Sequence, residues 1–117
     1  MAKTITIYGI KACDTMKKAR AWLDDHRVGY AFHDYKVEGI DKAQLETWAG
    51  DLGWEMLLNR SGATFRKQPD EDRANVTEKK AIALMIAQPS MIKRPVLDAG
   101  GKLIVGFKPA VYAKMFS

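Results

Sequence analysis

Along the first third of the chain the spacing of apolar positions changes period twice. Thr4-Ile5-Thr6-Ile7-Tyr8 alternates polar and apolar side chains and is rich in β-branched residues, the pattern of a half-buried strand. From Cys13 to about Arg27 the apolar residues Met16, Ala19, Trp22 and Leu23 recur at helical spacing. Arg20 and Asp24 fall on the wet side of that helix as an i,i+4 pair. Gly29 is expected to stop the helix, and Tyr30-Ala31-Phe32-His33-Asp34-Tyr35 to form a second strand. Strand, helix and strand within about thirty residues make a βαβ unit, whose strands should be parallel and joined right-handed.

The middle of the chain is helical with one interruption. Asp41 followed three residues later by Gln44 reads as a helix start, and Leu45, Trp48 and Leu52 give an apolar face that runs to Gly53. Trp54 to Leu58 adds a shorter helical piece. Asn59 to Val76 has only Ala63, Phe65, Ala74 and Val76 as apolar side chains and predicts a long irregular stretch, functional or mobile. Thr77-Glu78 opens the next helix, which turns Ile82, Met85 and Ile86 inward and ends at Pro89. Pro95 to Asp98, the turn Ala99-Gly100-Gly101-Lys102, and Leu103 to Val105 read as a hairpin, followed by a helix from about Pro109 to Phe116. The order is βαβ, helices, ββα, with no internal repeat and no second domain.

Composition narrows the class. The 117 residues suit one domain with a single modest core. Hydrophobic residues make up 47% of the chain, yet no apolar run approaches the roughly 18 residues of a membrane span. The amino terminus enters a strand pattern without a signal-peptide layout, and the single cysteine rules out an intrachain disulfide framework. Together these predict a cytoplasmic protein. The formal net charge of +5 comes from lysines and arginines interleaved with acids, as in Lys17-Lys18 followed by Asp24-Asp25. No basic block or aromatic RNA-binding signature is present, so the expectation is a solvated surface, no nucleic acid and no membrane. Binding of a small anion or an acidic partner stays compatible with that charge.

The candidate chemistry centres on Cys13. It stands where the short loop Gly9-Ile10-Lys11-Ala12 passes from the first strand into the first helix. That is the carboxyl end of a parallel strand, where open α/β sheets place ligands, and a helix start, whose unpaired N–H groups favour an anion. A thiolate is such an anion, and a cysteine so placed can titrate at about 3.5–7.5 against about 8.5 when free. Lys11 reinforces the effect and Asp14 opposes it. The other reading is a small buried hydrophobe, since cysteine is among the residues most often found inside. His26 and His33 have no cysteine or carboxylate at ligand spacing, so no metal site is expected. The glycines of "AGGKLIVG" suit turns rather than a phosphate loop, because no helix with Lys-Ser/Thr follows. Trp22, Trp48 and Trp54 fall at amphipathic, core-like positions.

"ITIYGIKACDTMKKAR", "LLNRSGATFRK" and "MIKRPVLD" occur in that order over essentially the whole chain. Together with the element order they resemble the arsenate reductase (ArsC)-related family, most closely its YffB branch, which is grouped with the Spx/MgsR regulators. The resemblance implies an α/β, thioredoxin-like fold: a mixed four-stranded sheet (βαβ…ββα) with an all-helical insertion at about 41–88 of one 1–117 domain. It implies that Cys13 is the nucleophile and that Arg94 binds an oxyanion or steadies the thiolate. Pro95 would be the cis-proline beside the site, presenting a carbonyl edge to an extended, peptide-like substrate. Arg60 matches the loop arginine of the reductases.

The departures from the family pattern steer the choice of activity. The His-Asn-Pro that precedes Ala-Cys in those reductases is here Gly9, Ile10 and Lys11. Their last arginine falls in "GFKPA", where Lys108 is the only cation, a point charge in place of a bidentate fork. The second position of a Spx-type Cys-x-x-Cys is Met16, so no internal dithiol can form. The resemblance therefore implies a glutathione-dependent thiol reductase that uses one activated cysteine, binds no cofactor and takes glutathione as co-substrate. Lys11, Arg94 and Lys108 would hold the glutathione carboxylates, and the protein would act as a monomer on a thiol, disulfide or oxyanion. The alternatives are a glutathione-coupled arsenate reductase and a Spx-like, non-enzymatic regulator that binds RNA polymerase.

Overall fold

The computed structural model describes residues 4–116. In chain order the elements are β1 (Ile5–Gly9), α1 (Asp14–Asp25), β2 (Ala31–Asp34), α2 (Tyr35–Glu38), α3 (Lys42–Leu52), α4 (Trp54–Leu57), α5 (Ala63–Arg66), α6 (Asp70–Arg73), α7 (Glu78–Ala87), a 3₁₀ turn (Pro89–Met91), β3 (Val96–Ala99), β4 (Lys102–Val105) and α8 (Pro109–Met115). The chain divides into a sheet unit, made of the residues up to Asp34 and those from Arg94 on, and a helical unit, Tyr35–Lys93. The expected helical insertion at 41–88 is thus wider at both ends. Tyr35 turns into a helix instead of closing the second strand, and the 3₁₀ turn is followed by a bridge from Ile92 back to Leu58.

The sheet unit carries the mixed four-stranded sheet in the order β2-β1-β3-β4. β1 pairs parallel with β2 and antiparallel with β3, and β3 pairs antiparallel with β4. The register sets Phe32, Ile7, Leu97 and Ile104 in one row across the sheet, so they share a face. On that face Ile7 and Leu97 pack with Met16, Ala19 and Leu23 of α1 and Tyr112 of α8 in one fully buried cluster. Of the four positions at helical spacing, α1 buries Met16, Ala19 and Leu23, while Trp22 stays partly buried at the edge of the cluster.

α1 ends differently from the expectation. Arg27, not Gly29, takes the left-handed conformation (φ 57°), and the Val28 N–H reaches back to the Leu23 carbonyl at 2.9 Å. That 6→1 bond with a left-handed residue before it is a Schellman ending, here made without glycine. Arg20 pairs not with Asp24 but with the second strand region: its Nε donates to the Tyr30 hydroxyl at 3.3 Å and its guanidinium sits 4.4 Å from the Phe32 ring centroid.

In the helical unit, α3 and α7 follow their predicted starts. Asp41 Oδ1 accepts from the Gln44 N–H at 3.0 Å, and Thr77 Oγ1 accepts from the Lys80 N–H at 3.3 Å. α3 buries Leu45, Trp48 and Ala49, and α7 buries Ala81, Ile82 and Met85. Gly53, at φ 86°, makes the corner between α3 and α4 that a side chain would strain. The stretch expected to be irregular instead contains the two short helices α5 and α6. Long cationic side chains tie it down: Arg66 donates twice to the Ser61 carbonyl, Arg73 to the Gln68 carbonyl at 3.0 Å, and Lys80 to the carbonyls of Ala74 and Glu71.

Candidate active site

Strand pairing explains how the candidate residues of the sheet unit meet. The carboxyl end of β1 lies beside the amino end of β3, with Tyr8 opposite Val96. The loop after β1 and the segment before β3 therefore emerge at the same end of the sheet. Cys13 is on the first and Arg94 on the second.

In the loop, the Cys13 N–H donates to the Ile10 carbonyl at 3.1 Å and closes a turn, while the Cys13 carbonyl accepts the first helical bond, from Lys17 N–H, at 3.0 Å. Cys13 is thus the N-cap of α1, extended at φ −74° and ψ 129°. Its half-buried thiol makes no cap hydrogen bond of ordinary kind, as expected of a weak acceptor. Burial alone pushes the Cys13 pKa up. The N–H of Met16, the Arg94 side chain and the N–H of Thr15 all favour the anion, as does the charge on Arg94, and the thiol ends below its ordinary value. A helix start and a guanidinium act on one sulfur.

The remaining sequence-predicted residues have separate settings. Arg94 is half-buried and joined to Pro95 by a cis peptide bond. Pro95 is buried, and its carbonyl accepts the Gly106 N–H at 2.8 Å, continuing the β3–β4 ladder by one rung. The carbonyl edge expected to face a substrate is thus already engaged in the hairpin. Lys11 is exposed on the loop. Lys108 is the exposed N-cap of α8, its carbonyl accepting from Val111 and Tyr112. Arg60 belongs to the helical unit, where its guanidinium stands 5.6 Å from the Trp54 ring centroid.

Two residues that the sequence reading left out of the site belong beside it. Met16 was expected on the apolar face of the helix and at the place of a second cysteine, not at the site; its side chain is fully buried, in the first turn that Cys13 caps. It fills the space over Gly9, where a β-carbon would meet Met16 Cε at 2.8 Å and Cγ at 3.0 Å, with Sδ nearer still. The signal was available: a glycine closing a strand pattern marks a close approach. Among the described residues no three metal-ligating side chains converge. His26 stacks on Trp22 with ring centroids 3.7 Å apart, and His33 lies against Tyr8.

The sequence model of the ArsC family matches residues 8–115, a span that includes Cys13, Arg94 and every element after β1 begins. The chain belongs to the ArsC family. A solved structure named YFFB is 59% identical and superimposes with a TM-score of 0.95 over 97% of this chain and 100% of that one. An arsenate reductase (ArsC) related protein from Brucella melitensis is also 59% identical, with a TM-score of 0.78 over 97% of this chain and 95% of its own. The global transcriptional regulator Spx of Streptococcus mutans is 26% identical over 106 residues, 88% of this chain and 76% of the regulator. The ArsC-family relatives of this chain thus include both reductase-like proteins and regulators. No helix among the described residues is long and apolar enough to cross a membrane.

Proposed function

We propose that the chain is a thiol reductase in which Cys13 is the single nucleophile and glutathione supplies the second thiol. The observation that carries this reading is the convergence of the α1 N–H groups and Arg94 on the Cys13 sulfur, which lowers its pKa. A thiolate attacks where a thiol does not, and its leaving ability rises as its pKa falls. Cys13 is the only cysteine in the chain, so no internal disulfide can complete a cycle.

The chemistry balances with glutathione alone. The Cys13 thiolate attacks the glutathionyl sulfur of a mixed disulfide, R–S–S–G; a new S–S bond forms between Cys13 and that sulfur, the original RS–SG disulfide bond breaks, and R–S⁻ leaves to take a proton from water. A glutathione thiolate then attacks the glutathionyl sulfur of the adduct, releasing oxidised glutathione and the Cys13 thiolate. R–S is reduced, and two glutathionyl groups end as the disulfide. Arg94 steadies the thiolate both as nucleophile and as leaving group. Lys11 and Lys108, exposed and cationic, are the groups for the glutathione carboxylates.

Mass spectrometry tests the adduct. Oxidised glutathione should add one glutathionyl group to the wild type and none to Cys13→Ser, and reduced glutathione should remove it. Arg94→Ala, if folded, should raise the inflection of alkylation rate against pH and, at pH well below it, slow adduct formation by up to about tenfold for each unit of that rise. Absence of an adduct on the folded wild type defeats the glutathione mechanism. The similarity to Spx supports a second reading, a regulator that binds RNA polymerase without catalysis, and that reading takes over in such a case. Robust arsenate reduction that Cys13→Ser abolishes would instead favour an arsenate reductase. Weak or absent turnover is expected, since Gly9 replaces the loop histidine and Lys108 the last arginine.

A further inference from the structure

Gly9 needs a reason to be glycine. It ends a strand, is buried, and is not among the glycines with left-handed backbone, so its conformation is open to any residue. A glycine at an ordinary strand position weakens the strand, because it orders at an entropic cost and packs nothing. What it provides here is room. The Met16 thioether occupies the volume that a Gly9 side chain would take, and Met16 belongs to one core cluster with Ile7, Ala19, Leu23, Leu97 and Tyr112, all fully buried. Sδ and Cε are the flexible end of that side chain, but Cγ, at 3.0 Å, is joined to the Met16 backbone through a single carbon, so in a close-packed interior making room there pushes on the backbone that carries it. That backbone is the first turn of α1, whose Thr15 and Met16 N–H groups face the Cys13 sulfur.

We infer that Gly9 is a positioning residue for Cys13, acting through Met16: the missing side chain seats the thioether, and the seated thioether locks the first turn of α1 beneath the sulfur. The inference rests on the reading of Cys13 as the nucleophile. It gives Met16 a role beyond filling the place of a second cysteine, since its buried thioether is keyed against the end of β1.

The test is a double-variant cycle read by the pH profile of Cys13 alkylation, with thermal unfolding and near-ultraviolet circular dichroism as controls for folding. Gly9→Ala should shift the inflection up by about one unit, slowing alkylation well below it about tenfold. Met16→Ala removes the obstructing atoms, so Gly9→Ala/Met16→Ala should return the inflection to within a few tenths of a unit of Met16→Ala alone. A folded Gly9→Ala protein with the wild-type profile overturns the inference. If Gly9→Ala fails to fold, the double variant decides: it must fold, with an inflection matching Met16→Ala, and failure in either respect overturns the coupling. A wild-type inflection at the ordinary thiol value would defeat the nucleophile reading itself. A low wild-type inflection insensitive to Gly9 would defeat only the coupling.

Discussion

α1 and the 59–76 segment are ordered in opposite ways. α1 presents Met16, Ala19 and Leu23 to the sheet and buries all three completely; its order follows from removing apolar surface from water. In the 59–76 segment Phe65 is the only fully hydrophobic side chain that is buried, and cations hold its shape by reaching to backbone carbonyls. Burial is non-directional and large, whereas a partly exposed hydrogen bond is directional and contributes little net stability. The first arrangement should fail globally when damaged, the second locally.

Leu23→Ala attacks the buried cluster and carries the largest expected effect, a loss of about 2–5 kcal/mol in denaturant unfolding. A loss well under 1 kcal/mol would mean that the cluster does not hold the sheet unit. Lys80→Met keeps the aliphatic stem and removes the ammonium that bonds Ala74 and Glu71, for an expected loss of about 1 kcal/mol. Its sharper readout is hydrogen exchange: the Ala74 amide, bonded to the Asp70 carbonyl at 2.9 Å, should lose protection while the amides of β1 keep theirs. Uniform loss at both places would erase the contrast between the regions.

Each region also has one non-glycine residue in the left-handed conformation, Arg27 at φ 57° and Asn75 at φ 51°. Asparagine tolerates that conformation and arginine does not, so Arg27→Gly should stabilise by about 0.5–1 kcal/mol while Asn75→Gly stays within a few tenths. Equal responses would show that the two turns are not limited by backbone strain.

The smallest effect concerns pH. Folding lowers the Cys13 pKa, so between the folded value and the free value of about 8.5 the unfolded chain binds the extra proton. The thiolate's contribution to stability is complete above that window and is lost as pH falls through the folded value. The stability difference between wild type and Cys13→Ser should rise with pH inside the window and be flat on both sides. A flat difference throughout would mean that folding does not perturb the thiol.

The contrast also marks what could be read from the sequence. The alternation at Thr4–Tyr8 and the Met16, Ala19, Leu23 spacing give β1 and α1 because burial decides both, and the hairpin announces itself through Gly100-Gly101. The expected ion pair of Arg20 with Asp24 fails because Arg20 finds Tyr30 and Phe32, residues that only the β1–β2 pairing brings near. α5 and α6 are single turns with no room for a helical period, and the carbonyls that secure them lie as far as nine residues from the cation. At the site, Cys13 was legible from its place between strand and helix. Gly9 at the strand end signalled a close approach, but its partner was not legible, because spacing alone cannot say that the Met16 thioether is what folds back over it.

The bond from Gly106 to Pro95 gives the β3–β4 turn a reach that its distance from the sulfur conceals. Ala99 faces Lys102, Leu97 faces Ile104, Val96 faces Val105, and the Pro95 carbonyl takes the next rung, immediately after Arg94. The hairpin behaves as a ruler whose zero is set at Gly100-Gly101 and whose far mark is the guanidinium beside Cys13. Adding one residue at that turn would slide every rung by one and turn each side chain of the slipped strand to the opposite face. β3 itself stays keyed to β1 through the Tyr8–Val96 pair, so the slip would fall on β4 and would take from the Pro95 carbonyl, next to Arg94, the Gly106 N–H that caps it.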